Sequence, residues 1–211
     1  MIINLMTKLV TTLKKLSIII IISMSANSQA ISFDKKVMLE NRIESFFEDL
    51  NTMEGEFIQV SPSGMISNGK IFIDLPGKIR LDYINPDNLL ITCKGFWLVI
   101  QDRNLQSSNN IPIQQTPFGI LLNKEINFNN KKIILDLKRD LGVITLKLQL
   151  AENIQAGQLI IEFLENPFIL KKWIIKDMIG DETTVLIQNT KFGHKLPYTL
   201  FFPVDFPEPQ N

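Results

Sequence analysis

Hydrophobic residues along this chain are spaced first as in a helix and then as in strands. Between Asp34 and Leu50 the large apolar residues recur every three or four positions, with charged residues between them. This is the pattern of an amphipathic helix. From Met53 onward, apolar and polar residues alternate, which predicts strands with one buried face. The apolar stripe of the helix consists of Leu39, Ile43, Phe46, Phe47 and Leu50.

Turn-forming residues divide the alternating region into successive strands. Ser61–Gly64, Pro76-Gly77 and Asn85–Asp87 are such turns, and the alternation resumes after each of them. Two further runs, Leu89–Cys93 and Phe96–Gln101, continue the series across Lys94-Gly95.

A polar segment and a short apolar helix are predicted next. Residues Asp102–Gln115 are rich in Asn and Gln and predict a loop. Thr116 and Pro117 then provide a helix N-cap and a proline at the first helical position, ahead of the apolar residues Phe118–Leu122. A short apolar helix within a series of strands commonly covers one face of the sheet or plugs a cavity in it.

The alternation returns after Asn129-Asn130 and brings the total to ten or eleven strands. The connections are too short for parallel crossovers, which need about a dozen residues each. We therefore predict a mostly β protein built on a single curved antiparallel sheet, open or closed as a barrel.

The first thirty residues differ from the rest of the chain. Lys8, Lys14 and Lys15 occur without any acidic residue, and Leu16–Met24 is apolar apart from two serines. This is the layout of a secretory signal peptide, and Ser28-Gln29-Ala30 places its cleavage after Ala30. An uncleaved membrane anchor is the alternative, but the run is shorter than the ~20 apolar residues that span a bilayer. The expected organisation is a signal peptide, 1–30, and one domain, 31–211.

Charge and composition argue against nucleic acid and against catalysis. Removing the three lysines leaves 19 basic against 22 acidic residues, a net charge of −3, so bulk charge does not favour nucleic acid. The single His194 and single Cys93 do not readily build a metal or nucleophile site. We expect a protein that is not an enzyme and needs no cofactor or metal. Its fourteen phenylalanines predict either a large core or a second apolar surface.

The ordered motifs of the mature chain resemble those of the periplasmic outer-membrane lipoprotein carriers, the LolA family. Each motif is weak alone, but the series follows the family's order and spacing. The matching residues are Phe57-Ile58-Gln59, Gly69–Ile73, Pro76–Arg80, Tyr83, Pro86, Gly95-Phe96-Trp97, Thr116-Pro117-Phe118, Leu121-Leu122 and Phe201-Phe202-Pro203.

The resemblance implies an incomplete barrel of about eleven strands, with helices as a lid over an apolar cavity that takes acyl chains. It implies a periplasmic carrier of triacylated lipoproteins, which an inner-membrane ABC transporter releases. Delivery would be to an outer-membrane acceptor lipoprotein or to the outer membrane directly. We expect the carrier to be a monomer.

The resemblance also assigns residues to the cavity and to the lid. Many family members carry an arginine before the motif proline, where it holds the lid closed, but this chain has Leu75 there. Arg80 is the substitute candidate for a latch, with a structural role on the outer face as its alternative. The expected cavity residues are Phe57, Ile71, Ile73, Ile79, Leu81, Tyr83, Leu89, Ile91 and Trp97, and the expected lid residues are Phe46, Phe47, Phe118, Leu121 and Leu122.

Two other functions remain open at this stage. One is a periplasmic module on the same fold that senses a lipid or lipoprotein without transporting it. The other is a hydrolase of envelope lipids, which the lack of candidate catalytic residues disfavours.

Overall fold

The structure is a computed structural model that describes residues 36–122, 128, 133–150 and 154–206. The chain divides into two compact units, Met1–Ser45 and Phe46–Asn211. The predicted signal peptide, 1–30, lies outside the described residues. In the first unit the described residues begin a helix, α1, in which Lys36 and Glu40 form an ion pair of 3.6 Å.

Helix α1 covers residues 36–49 and confirms the helix predicted from the apolar stripe. Burial follows that stripe: Ile43, Phe47 and Leu50 are buried, and Leu39 and Phe46 are half-buried. The helix ends within the second unit, where the N–H of Leu50 donates to the carbonyl of Phe46.

The second unit is built on one eleven-stranded antiparallel sheet that is not closed into a barrel. Its spatial order is β6-β5-β4-β3-β2-β1-β11-β10-β9-β8-β7, so β6 and β7 are the two edges. The predicted fold class is therefore confirmed. The strands are β1 Thr52–Val60, β2 Ile66–Asp74, β3 Lys78–Asn85, β4 Leu89–Lys94, β5 Trp97–Asp102, β6 Ser107–Pro112, β7 Ile133–Asp140, β8 Val143–Leu150, β9 Gln158–Leu164, β10 Ile169–Lys176 and β11 Glu182–Phe192.

One expectation was wrong: Asp102–Gln115 is not a loop. Residues Ser107–Pro112 form β6, which pairs with β5 at the edge of the sheet, and Ile113–Gln115 form a 3-10 helix. Ser107 to Asn110 are exposed on both faces of the strand, so the sequence carries no alternation to reveal it. A polar edge strand also discourages pairing with other chains.

A second α-helix, α2 Phe118–Leu122, lies in the connection between the two edges of the sheet, and two further 3-10 helices are Ile154–Ala156 and Tyr198–Phe201. Helix α2 follows the 3-10 helix Ile113–Gln115 directly, and the hydroxyl of Thr116 donates to the carbonyl of Ile113 at 2.9 Å. All five residues of α2 are buried. This connection therefore brings an apolar element back over the sheet.

One face of the sheet carries a continuous set of buried apolar side chains, which we call the apolar face. The strand registers place these residues opposite one another from β5 through β1 and β11 to β8. The buried members are Met53, Phe57, Ile71, Ile73, Ile79, Leu81, Tyr83, Cys93, Leu98, Ile144, Leu146, Leu148, Leu159, Ile161, Phe163, Leu170, Trp173, Val185 and Ile187.

Gly69 in β2 allows two strands and a phenylalanine ring to meet on this face. A Cβ at this position would lie 2.2 Å from the carbonyl oxygen of Asp82 and 2.7 Å from the ring of Phe57. The pairing of β2 with β3 also shifts register between Asn68 and Gly69. The backbone can approach this closely only because the residue has no side chain.

We predict that Gly69→Ala destabilises the protein by about 1–3 kcal/mol, because the added methyl group overpacks a backbone contact that cannot yield. The measurement is the free energy of unfolding from urea denaturation. The control is Asn68→Ala, which places the same side chain on the exposed neighbour and should change stability by less than about 0.5 kcal/mol. Equal effects of the two substitutions would contradict this packing.

Candidate functional site

Most of the predicted cavity residues lie together on the apolar face. Phe57, Ile71, Ile73, Ile79, Leu81 and Tyr83 are all buried there. Leu89 and Ile91 of β4 are half-buried; Ile91 pairs with Leu81 in the register and so shares its face. These eight residues occupy only the half of the sheet formed by β1 to β4.

Trp97, the ninth predicted cavity residue, lies elsewhere. It precedes Leu98, which is on the apolar face, so the alternation of β5 puts Trp97 on the other face. Its side chain is 48% exposed and packs edge-on against Phe96 at 4.9 Å. The two-residue turn Gly95-Phe96 joins β4 to β5 and sets this parity.

The cavity residues assigned from the resemblance leave out the other half of the apolar face. Residues of β8 to β11 complete the apolar face, with Phe163 and Trp173 as its largest members, both fully buried. Apart from Phe201-Phe202-Pro203, the motifs that match the family end near Leu122. The sequence therefore predicts β8 to β11 only from their alternating apolar and polar residues. That alternation, for example Ile144, Leu146 and Leu148, was the available signal.

Helix α2 covers the apolar face. The ring of Phe118 meets the indole of Trp173 edge-on, with 6.1 Å between ring centroids. At the other end of α2 the carbonyl of Leu122 accepts a hydrogen bond of 2.8 Å from the N–H of Gly77, in the turn between β2 and β3. The predicted lid residues Phe118, Leu121 and Leu122 belong to this helix and are buried.

The second predicted lid element, Phe46 and Phe47, joins a cluster of phenylalanines. Phe46 packs edge-on against Phe163 at 5.2 Å, Phe168 at 5.9 Å and Phe192 at 6.5 Å. Phe47 lies 6.1 Å from Phe163, which itself stacks on Phe168 at 4.8 Å. This cluster covers the end of the apolar face at β9.

The turn that carries Leu75 contacts α2 without an arginine. Leu75 is buried, and its N–H donates to the carbonyl of Asn51 at 2.7 Å. Two residues later, the N–H of Gly77 donates to the carbonyl of Leu122 in α2. The carbonyl of Gly77 accepts a hydrogen bond of 2.9 Å from the N–H of Gly95. Backbone hydrogen bonds therefore join this turn to the end of α2.

Arg80, the candidate latch, lies on the face of the sheet opposite the one that α2 covers. It alternates with Ile79 and Leu81 and so lies on the opposite face. Its guanidinium donates to the carbonyl of Leu200 at 3.1 Å and to the carboxylate of Asp82 at 2.6 and 3.0 Å. Through the bond to Leu200, Arg80 helps to hold the C-terminal segment, residues 198–206.

Two further bonds fix that C-terminal segment on the face opposite the apolar face. The buried amide of Gln101 donates to the carbonyl of Val204 at 2.7 Å and accepts from its N–H at 2.8 Å. Phe201 is fully buried there. Tyr198 and Phe202 stay about half exposed, with the ammonium of Lys94 4.1 and 3.8 Å from their ring centroids.

The polar groups on the apolar face are held neutral. The hydroxyl of Tyr83 donates to the side-chain oxygen of Gln59 at 2.7 Å, and burial raises the pKa of Tyr83 to about 12. Burial likewise raises the pKa of the Cys93 thiol to about 11. Among the described residues no group of three or more His, Cys, Asp or Glu side chains could hold a metal ion. This surface can therefore bind apolar ligands by contact, with few polar groups to direct them.

Comparison with known proteins identifies the family. The model of the family described as outer membrane lipoprotein carrier protein LolA matches residues 48–203. Because this match covers well over half of the 211 residues, the chain belongs to the LolA family. A search of the curated proteins finds no match. Within the described ranges, no helix is long and apolar enough to cross a membrane.

Several solved structures resemble this one at low sequence identity. A LolA superfamily protein from Nitrosomonas europaea is 9% identical with a TM-score of 0.42, covering 74% of this chain and 90% of its own. A DUF1329 family protein from Desulfovibrio piger is 9% identical with a TM-score of 0.47, covering 78% and 94%. The Mycobacterium tuberculosis lipoprotein LppX is 10% identical with a TM-score of 0.37, covering 82% and 98%.

The ion network around Arg80 predicts an acid-dependent loss of stability. Burial disfavours the Asp82 carboxylate, but hydrogen bonds and charge from Arg103 and Arg80 outweigh burial and lower its pKa below 3.8. A carboxylate whose pKa is lower in the folded than in the unfolded state stabilises the fold at pH values above its unfolded-state pKa. This stabilisation is lost as the pH falls through the folded-state pKa. Asp82→Asn should therefore cost about 1–2 kcal/mol at neutral pH.

The measurement is urea unfolding of wild type and Asp82→Asn from pH 7 to pH 3. The gap, meaning the difference in free energy of unfolding between wild type and Asp82→Asn, should stay constant above about pH 5 and narrow as the pH falls below 3.8. Asp140→Asn, at an exposed site in β7, is the control and should show a much smaller gap at pH 7. A gap for Asp82→Asn that does not narrow in acid would contradict this role.

Proposed function

We propose that this protein carries acylated lipoproteins through the periplasm by holding their acyl chains against the apolar face. The observation that carries the proposal is that this face crosses the sheet from β5 to β8 and is covered by the short helix α2 and by the phenylalanine cluster around Phe46. In this structure the face is closed. Cargo must therefore enter by displacing α2.

The free energy needed to displace α2 is similar to the free energy gained by burying an acyl chain, so one can replace the other. Helix α2 buries four large side chains, Phe118, Ile120, Leu121 and Leu122. Uncovering them costs roughly 6–12 kcal/mol, at about 1.5–3 kcal/mol for each side chain. Burying one sixteen-carbon acyl chain gains on the order of 12 kcal/mol, at about 0.8 kcal/mol per methylene. An acyl chain can thus replace α2 on the face, and α2 can help to expel it again.

The absence of strong directional contacts suits a carrier. Hydrophobic burial is non-directional, so it tolerates acyl chains of different lengths and requires no specific bond to be broken on release. Membership of a family described as lipoprotein carriers supports the same proposal. Triacylated lipoproteins are the proposed cargo, an inner-membrane ABC transporter the donor, and an outer-membrane acceptor lipoprotein or the membrane itself the destination.

The test uses the mature chain, residues 31–211, and a purified triacylated lipoprotein whose detergent is diluted away. We expect a soluble one-to-one complex by size-exclusion chromatography and mass measurement, because shielded acyl chains no longer drive aggregation. The same lipoprotein without its acyl chains should not bind. Vesicles then added as acceptors should take the lipoprotein from the complex.

Three results would count against the proposal. A mature chain that leaves the acylated lipoprotein aggregated does not shield acyl chains. Equal binding of the deacylated form would place recognition on the polypeptide. A complex that never yields its lipoprotein to vesicles or to an acceptor would favour a sensing module instead of a carrier.

A matched pair of substitutions tests the part played by α2. Leu121→Ala removes part of the buried contact between α2 and the apolar face, so displacing α2 costs less free energy. The complex should therefore form at a lower lipoprotein concentration. Leu105→Ala removes a leucine that is exposed in the β5–β6 turn and should leave the complex unchanged. Identical behaviour of the two variants would contradict competition between α2 and cargo.

A further inference from the structure

Trp173 presents a hydrogen-bond donor that has no partner among the described residues, on the apolar face. It lies in β10, between Ile161 of β9 and Val185 of β11 in the strand registers, and its side chain is fully buried. Its indole Nε1 is one of three buried side-chain polar atoms that make no hydrogen bond among the described residues. Of the three, it is the one carried by a residue of this face that α2 contacts directly.

An unpaired indole N–H in a dry interior is unusual. Buried tryptophan N–H groups normally find an acceptor, because losing water without replacing its hydrogen bond is costly. Tyr83, a polar residue of the same face, follows that rule, since its hydroxyl donates to the side-chain oxygen of Gln59 at 2.7 Å. The closed state of the protein therefore leaves Trp173 in need of an acceptor that the described residues do not supply.

The surroundings define the chemistry of that acceptor. The register neighbours Ile161 and Val185 are apolar, and the ring of Phe118 lies edge-on to the indole. An indole N–H is a single neutral donor, which matches a neutral acceptor oxygen in a place where burying a charge would be prohibitive. The ester and amide groups that join acyl chains to a lipid are such acceptors, and their hydrocarbon tails need the same apolar surroundings.

We propose that the indole N–H of Trp173 donates a hydrogen bond to an ester or amide carbonyl of the acyl chain that displaces α2. This inference rests on the proposed function and makes Trp173 a residue that selects acyl linkages over plain alkyl chains. Phe118 sits on the indole when the face is closed, so removal of α2 and exposure of the donor occur together. A single neutral hydrogen bond adds selectivity without preventing release.

The test compares two ligands that differ only at the carbonyl: 1-monopalmitoylglycerol and its ether analogue, 1-O-hexadecylglycerol. The protein is the mature chain, residues 31–211. The ester should bind roughly two- to tenfold more tightly than the ether, the range expected for one neutral hydrogen bond. Trp173→Phe should bring this ratio close to one and leave ether binding in place. Trp97→Phe, which alters the exposed tryptophan on the other face, should keep the ratio.

A spectroscopic measurement on the wild-type chain keeps the inference testable even if Trp173→Phe folds poorly. The chain has two tryptophans, so a nitrogen-15 correlation spectrum shows two indole N–H signals that Trp97→Phe assigns. The ester should move the Trp173 signal downfield, as a new hydrogen bond does, and the ether should not.

The outcomes separate this inference from the function beneath it. Equal affinities for ester and ether, or a bound ester that leaves the Trp173 signal as the ether does, would overturn the role of Trp173 alone. Failure of both ligands and of the acylated lipoprotein to bind would overturn the carrier function, and the role of Trp173 with it.

Discussion

Burial of one apolar face is the interaction on which the rest of this structure depends. The sheet presents large side chains on that face from β5 to β8, and water is kept from them by α2 and by the phenylalanine cluster around Phe46. Helix α2 and Phe46 lie outside the sheet. The same side chains that hold the fold closed are therefore those that an acyl chain would contact, which is why packing and binding cannot be assigned to different residues here.

The open topology makes the cover separable from the scaffold. Helix α2 lies in the connection between the edge strands β6 and β7, so its displacement breaks none of the ladder bonds between strands. A backbone hydrogen bond from the N–H of Gly77, in the β2–β3 turn, to the carbonyl of Leu122 ties α2 to the sheet. On the other face, Arg80 and Gln101 bind the C-terminal segment, so these directional bonds lie away from the apolar face.

How far the sequence predicts this arrangement depends on whether burial leaves a periodic signal. The alternation in β1 to β3 revealed residues such as Ile71 and Leu81, and the apolar run after Pro117 revealed α2. The polar edge strand β6 left no such signal, because neither of its faces is well buried. Gln101 is buried on the other face, where it bonds to Val204 of the C-terminal segment, and no local pattern predicts this. In β10 a register shift near Leu170 buries that residue and leaves Ile169 exposed, against simple alternation.

The most direct test of the account is whether the apolar face opens while the sheet stays folded, and the chain supplies its own probe. Cys93 is the single cysteine, buried on this face between Ile79 and Leu98. Its modification by a thiol reagent should proceed in the native protein at a rate that depends weakly on urea, because local opening exposes little surface, and 1-monopalmitoylglycerol should slow it. A rate that follows global unfolding with its full urea dependence would contradict an exchangeable cover.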